Sequence, residues 1–179
     1  MTNEYEHTTH TYKISGKVVP SVTQVLNRAG LVDDSFYTAD GAQRGTFVHE
    51  ACELFDKNLL DFDRLDPALE GYVEAWQSFR KLMPVKFDVI EEPFWSEEHG
   101  FGGTIDRAHG DIVGDIKTGQ FPAWLALQLG GYSILRPASS AWGVQLKSNG
   151  KFSMKTIGPY ELAMARRQFL AALEKVKNG

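Results

Sequence analysis

The run DIVGDIK, Asp111 to Lys117, sets the tightest condition on how this chain folds. It reads as an apolar strand with a turn-forming His109-Gly110 pair ahead of it. Side chains alternate across a strand, so Val113, Asp115 and Lys117 share one face and Ile112, Gly114 and Ile116 the other. A carboxylate and an ammonium at the end of an apolar strand are expensive unless paired or bound to a metal. Asp106 lies nine residues before Asp115, on an expected strand from Gly100 to Ala108. A hairpin at His109-Gly110 can bring the two carboxylates together, where they repel by about 4 kcal/mol at an effective dielectric near 20. A divalent cation removes that repulsion, and hard oxygen ligands suit Mg²⁺ or Mn²⁺. A bare Asp-x-Lys is commonly a surface ion pair on an edge strand. Here the strand is apolar, Asp106 sits in a Gly-x-Ile-Asp context, and a His-x-x-x-Glu spacing lies upstream.

That upstream segment is RGTFVHEACE, Arg44 to Glu53. Phe47, Val48, Ala51, Leu54 and Phe55 recur at helical spacing and predict a helix over about 43–57. His49 and Glu53 then share a face. His49 offers a nitrogen ligand, and Glu53 a contact through water. The competing reading makes His49 a satisfied, half-buried core histidine. Cys52 has no basic partner and no second cysteine, so it reads as packing. Downstream, Gln128 and Tyr132 stand four apart on a helix expected from Pro122 to about Leu135. They offer a phosphate or lysine contact and a hydrogen-bonding or stacking ring, against the simpler reading of a polar stripe. Gly130-Gly131 in that helix costs roughly 1 kcal/mol per glycine, which close approach to the sheet would explain.

Around these segments, Ser15-Gly16 turns a strand pair in HTYKISGKVV, and Ser21 with Gln24 gives the spacing of a capping box for a helix ending at Gly30. Residues 31–41 read as a loop. Further helices are expected from Pro67 to about Lys81 and Pro159 to about Val176. Further strands are expected over Phe87–Trp95, 140–147 and 151–157. The order ββ-ααα-βββ-α-ββ-α predicts an α/β fold, and 179 residues without repeat or linker suit one domain over 1–179. Residues of about 10–41 would decorate a core of about 42–179.

Composition narrows the function. No stretch approaches 18 apolar residues, so no membrane association is expected. The polar start MTNEYEHTTH is unlike a secretory signal, and a cytoplasmic protein is expected. One cysteine rules out an internal disulfide or a four-cysteine cluster. The formal charge is −4, yet residues 145–179 hold seven Lys and Arg against two acids. Lys147, Lys151, Lys155, Arg166 and Arg167 read as a solvated face or as phosphate contacts. His7, His10, His99 and His109 show no ligand spacing. Walker, Gly-x-Gly-x-x-Gly, Gly-x-Ser-x-Gly and His-Glu-x-x-His patterns are all absent.

In order, these motifs resemble the PD-(D/E)XK nuclease superfamily, its RecB-like branch, and small phage exonucleases of the exodeoxyribonuclease VIII kind. Gly45, Thr46, His49 and Glu53 match the G-T-x-x-H-x-x-x-E helix. Asp106 matches the first acid, Asp115-Ile116-Lys117 the D/E-x-K element, and Gln128 with Tyr132 the Q-x-x-x-Y helix. The openings YKISG from Tyr12 and PSVTQVL from Pro20 are also similar. Ile105, not proline, precedes the first aspartate. The resemblance implies a restriction-endonuclease-like αβββαβ core with a central mixed sheet flanked by helices. It implies a Mg²⁺- or Mn²⁺-dependent deoxyribonuclease, an exonuclease leaving 5′-phosphate and 3′-hydroxyl ends. His49, Asp106, Asp115 and the carbonyl of Ile116 would be metal ligands. Asp106, Asp115, Lys117 and Glu53 would be catalytic, and Gln128, Tyr132 and Arg44 would hold substrate. No iron–sulfur cluster is expected. DNA is the expected partner, with a recombination or single-strand annealing protein and a homo-oligomer as further expectations. The rival is an inactive module on the same fold that binds nucleic acid or a partner.

Overall fold

The computed structural model describes residues 2–33 and 38–178. Three short strands come first: β1 (Asn3–Glu6), β2 (Thr11–Ile14) and β3 (Lys17–Val19), an antiparallel sheet in that order. Ser15 and Gly16, at φ +50° and +76°, turn β2 into β3. β1 has no counterpart in the sequence reading, because Asn-Glu-Tyr-Glu carries neither an apolar alternation nor a buried face. α1 (Val22–Arg28) starts at Ser21 with both halves of the capping box formed: the Ser21 side chain accepts from Gln24 N–H, and the Gln24 side chain accepts from Ser21 N–H.

α2 (Ala39–Asp56) begins about four residues earlier than its apolar spacing indicates, because the Thr38 hydroxyl accepts from Gly41 N–H and caps a polar first turn. The expected loop over 31–41 is thereby shortened, and 34–37 lie outside the described residues. A 3₁₀ turn (Phe62–Arg64) leads to α3 (Pro67–Leu82), which has Asp66 as its cap and proline in its first turn.

β4 (Val89–Ser96), β5 (Phe101–His109), β6 (Ile112–Lys117), α4 (Leu125–Leu135), β7 (Ser140–Leu146), β8 (Phe152–Ile157) and α5 (Pro159–Asn178) follow. The sheet order is β4-β5-β6-β7-β8. β6 and β7 pair parallel across α4, and the other neighbours pair antiparallel. α3-β4-β5-β6-α4-β7 is the αβββαβ order that the resemblance implies. His109 pairs with Ile112, so the turn residues are Gly110-Asp111, one position later than expected, with Gly110 at φ +56°. α4 starts three residues after Pro122, which is spent on a turn closed by Leu125 N–H to Pro122 O.

Helices cover both faces of the five-stranded sheet. Val25, Leu26, Leu129 and Phe169 of α1, α4 and α5 pack with Phe101, Ile105 and Val113. Val48, Trp76 and Phe79 of α2 and α3 pack with Ile116, Trp142 and Val144 on the other face. Val113 and Ile116 thus fall on opposite faces, as alternation along β6 requires. The glycine pair in α4 serves helix packing and not the expected approach to the sheet. A Cβ on Gly130 would stand 2.7 Å from the Ala165 carbonyl carbon in α5, and one on Gly131 2.9 Å from Val22 of α1.

Candidate active site

The site forms where β5 parts from β6. Their pairing reaches Arg107↔Gly114 and stops. By the same register Asp106 stands opposite Asp115, but the Asp106 carboxylate turns into the opening and Oδ2 accepts from Ile116 N–H at 2.7 Å. On the other flank, Ile90↔Arg107 and Glu92↔Ile105 bracket Glu91 and Asp106. Glu91 has φ +50°, a left-handed conformation that costs a non-glycine residue roughly 1–2 kcal/mol. Alternation breaks here: Ile105 packs beneath α1, α4 and α5, while Arg107, two residues on, points to the α2 and α3 side. The two irregular positions are therefore the two that present carboxylates.

His49 of α2 reaches over this opening. Nδ1 lies 3.0 Å from Glu91 Oε1 and 3.7 Å from Asp106 Oδ2, and Nε2 lies 3.0 Å from the Ile116 carbonyl oxygen. Both ring nitrogens face acceptors, so the imidazole donates from both and is held as the cation. Burial opposes that charge, but the Asp106 and Glu91 carboxylates outweigh it and lift the His49 pKa to about 9. Asp106 is raised to about 7 by burial, with His49 opposing and Asp115 and Glu91 adding. Burial also acts to raise Glu91, yet His49 and Arg107 pull it below the usual carboxylate range. One atom from each of His49, Glu91 and Asp106 lies within 4.8 Å of the others. An imidazole nitrogen and two carboxylates at that spacing fit a hard divalent cation.

Beneath them lies a buried ion network. Arg107 is 0% exposed. Its Nε donates to Asp56 Oδ2 at 2.8 Å, and one terminal nitrogen donates to Glu91 Oε1 at 2.9 Å and to the Asp106 carbonyl at 2.6 Å. Arg80 Nε lies 3.0 Å from the other Asp56 oxygen. Arg107 thereby ties the end of α2 to both irregular strand positions.

The remaining expected residues divide. Asp115 is fully buried and stands outside the tight ligand group; Lys117 Nζ lies 2.7 Å from its Oδ2. Gln128 and Tyr132 are both buried, and the Gln128 amide donates to the Tyr132 hydroxyl at 3.0 Å. Burial holds that phenol well above its ordinary pKa, with Asp106 and Asp115 adding to the effect, so it stays neutral. The Glu53 carboxylate is held by Lys57 at 2.6 Å. Arg44 is exposed on the early part of α2. Cys52 is buried, and burial pushes its thiol pKa up, so it stays unreactive.

Glu91 is a candidate ligand that no sequence motif marks. Its one sequence signal is a Glu91-Glu92-Pro93 interruption inside an apolar strand. Arg107 gave a similar signal, a charge where alternation asks for core. The β2–β3 pair is legible in the sequence, but nothing there marks β1 or places this sheet beside the site. A cleft of about 560 Å³ runs past His49, Glu53, Glu91, Asp106 and Tyr132, and its far wall is Tyr5, His7, His10 and Tyr12.

No family model matches this chain, and no curated protein does. Solved structures do match. Among those similar to this chain are two exonucleases. A phage-related exonuclease from Haemophilus somnus 129PT is 11% identical at a TM-score of 0.45, covering 88% of this chain and 92% of its own. An alkaline exonuclease from Laribacter hongkongensis is 14% identical at 0.42, covering 88% and 89%. The same enzyme in complex with dAMP is 12% identical at 0.43, covering 89% and 88%. Among the described residues, no helix is long and apolar enough to cross a membrane.

Proposed function

We propose that this chain is a Mg²⁺- or Mn²⁺-dependent DNA nuclease of the PD-(D/E)XK kind, acting as an exonuclease. The observation that carries the reading is the grouping at the strand fork: a histidine and two carboxylates within 4.8 Å, with a buried aspartate paired to a half-buried lysine on the adjoining strand. A divalent ion held there would lower the pKa of a water and offset charge on the scissile phosphate. His49, Glu91 and Asp106 would hold it, with Asp115 and the Ile116 carbonyl at the edge of the site. Asp115 fixes the Lys117 ammonium at the mouth of the fork. From there Lys117 orients the attacking water and faces the negative charge that grows on the phosphate oxygens. Tyr132, kept neutral by burial, offers a hydroxyl donor to the strand, and Gln128 sets its direction. Glu53 steadies the water shell, and Arg44 meets the backbone further out.

The test is digestion of labelled linear, nicked and closed circular DNA with Mg²⁺ or Mn²⁺. Linear DNA is expected to be degraded from its ends and closed circles spared. Asp115→Ala and Lys117→Ala are each expected to abolish cleavage while circular dichroism shows a folded chain. Undiminished cleavage in excess EDTA, or full activity in either variant, refutes the reading.

A further inference from the structure

The wall of the cleft opposite His49 has no role in the reaction just described, yet it is built with care. The β1–β2 register places Tyr5 directly across from Tyr12, with ring centroids 4.9 Å apart. Tyr12 anchors the sheet: its ring lies so close to Gly102 that a Cβ there would come within 2.5 Å, and its hydroxyl hydrogen-bonds Thr104 at 2.7 Å. Thr104 is two residues from Asp106, so the wall is fastened to the strand that carries the ligand group. The Tyr5 hydroxyl meets His10 Nδ1 at 2.7 Å, and the His7 ring stands edge-on to Tyr5 at 4.7 Å. His10 keeps a left-handed backbone, φ +48°, to reach that bond. Tyr5, His7 and His10 belong to neither hydrophobic core, and both imidazoles are exposed. Three rings are thus held in fixed positions at a polar hairpin tip.

The charge of the cleft selects what they hold. Among the described residues that line it there is no Lys or Arg, and Glu50 and Glu53 lie on the α2 side. Away from the cation proposed at the strand fork, the wall therefore offers no fixed positive charge to a phosphate and suits a flat, uncharged aromatic face. We propose that Tyr5, flanked by His7 and His10, is a stacking platform for an unpaired base of the substrate strand, close to the nucleotide whose phosphate enters the strand fork. This rests on the nuclease reading for its substrate, and it adds that the bound end is single-stranded where it meets the wall. Stacking on an aromatic side chain tolerates any base, so the platform grips without reading sequence. A volume of about 560 Å³ falls within the range of roughly 300–1,000 Å³ usual for small-ligand sites.

The test is binding of labelled oligothymidylate in Ca²⁺, by fluorescence anisotropy, with a single abasic residue moved along the strand. For the unaltered protein, one abasic position is expected to weaken binding on the order of tenfold. Tyr5→Leu keeps an apolar side chain on β1 but removes the flat face. It is expected to bind normal and abasic strands alike, and Tyr5→Trp to restore the difference. Indifference of the unaltered protein to every abasic position overturns the platform, and so does a full abasic penalty in Tyr5→Leu. Cleavage of the same strand in Mn²⁺ is scored separately. Cutting without an abasic penalty overturns the platform alone. A penalty without cutting overturns the nuclease reading and leaves the platform standing. Failure to bind any strand overturns both.

Discussion

Arg107 has no accessible surface and donates to Asp56, Glu91 and the Asp106 carbonyl, so its loss would be felt twice. Arg107→Met fills the space with an apolar chain but strands the buried Asp56 and Glu91 carboxylates. Breaking a buried pair in this way costs about 3–5 kcal/mol, and urea denaturation should show it. Glu91 also loses the donor that aims it at His49, so calorimetric titration should find weaker Mn²⁺ binding in whatever fraction folds. Glu91→Gln separates the two effects. The amide keeps the size and part of the hydrogen bonding, so stability should fall by less than in Arg107→Met while Mn²⁺ affinity falls by about tenfold or more, at least the scale of losing a residue that supports the ligands. Unchanged affinity would remove Glu91 from the ligand group. These residues also mark the limit of reading a sequence. The place of His49 on its helix, Asp106 opposite Asp115, and the Asp115–Lys117 pair were legible because spacing within one helix and one hairpin fixes them; that Asp115 stands outside the tight group was not. Glu91 and Arg107 were not, because their roles depend on a break in alternation that arises only when β4, β5 and β6 come together.

Among the elements, those with local chemistry at their ends were legible and the others were displaced or unseen. Ser21 with Gln24, Pro67 after Asp66, and Ser15-Gly16 each fix a boundary by hydrogen bonding or backbone preference within a few residues. Ser21→Ala should cost about 1 kcal/mol, read as a lower thermal midpoint with the cleft otherwise intact. β1 has no apolar alternation and gains its place chiefly by pairing with β2, so no periodicity announced it. The glycines of α4 show how packing hides in a sequence. Gly130 alone costs about 1 kcal/mol of helix propensity, so Gly130→Ala would stabilise an isolated helix. In the folded chain the new methyl would meet the Ala165 backbone at 2.7 Å. Separating α4 from α5 is a form of overpacking worth about 1–3 kcal/mol, so the variant should melt below the parent. A higher melting point would mean that the two helices sit further apart than described here.

For the whole molecule, the strand fork couples folding to pH and, on the proposed function, to metal. Without metal, Asp106 holds its proton more tightly folded than unfolded, at about 7 against an ordinary 3.8. Its contribution to stability is complete below pH 3.8 and is lost as pH rises through about 7. His49 acts in the same direction at a higher range, complete below its ordinary 6.5 and lost through about 9. Glu91 acts oppositely, since its lowered pKa adds stability above the ordinary 4.5 that disappears on acidification. Between pH 5 and 9 the first two prevail, so the metal-free site weakens the fold as pH rises. A divalent cation takes the place of those protons and must displace them to bind. Mn²⁺ should therefore raise the thermal midpoint by several degrees at pH 9 and by much less at pH 6. Calorimetry at pH 7 in two buffers of different ionisation heat should show net proton release. His49→Ala should abolish most of the pH dependence of the Mn²⁺ effect between pH 7 and 9 while leaving the lower window governed by Asp106. An equal Mn²⁺ shift at pH 6 and pH 9 in the unaltered protein would mean that the cation sits elsewhere and that the histidine and its two carboxylates are held together for structure alone.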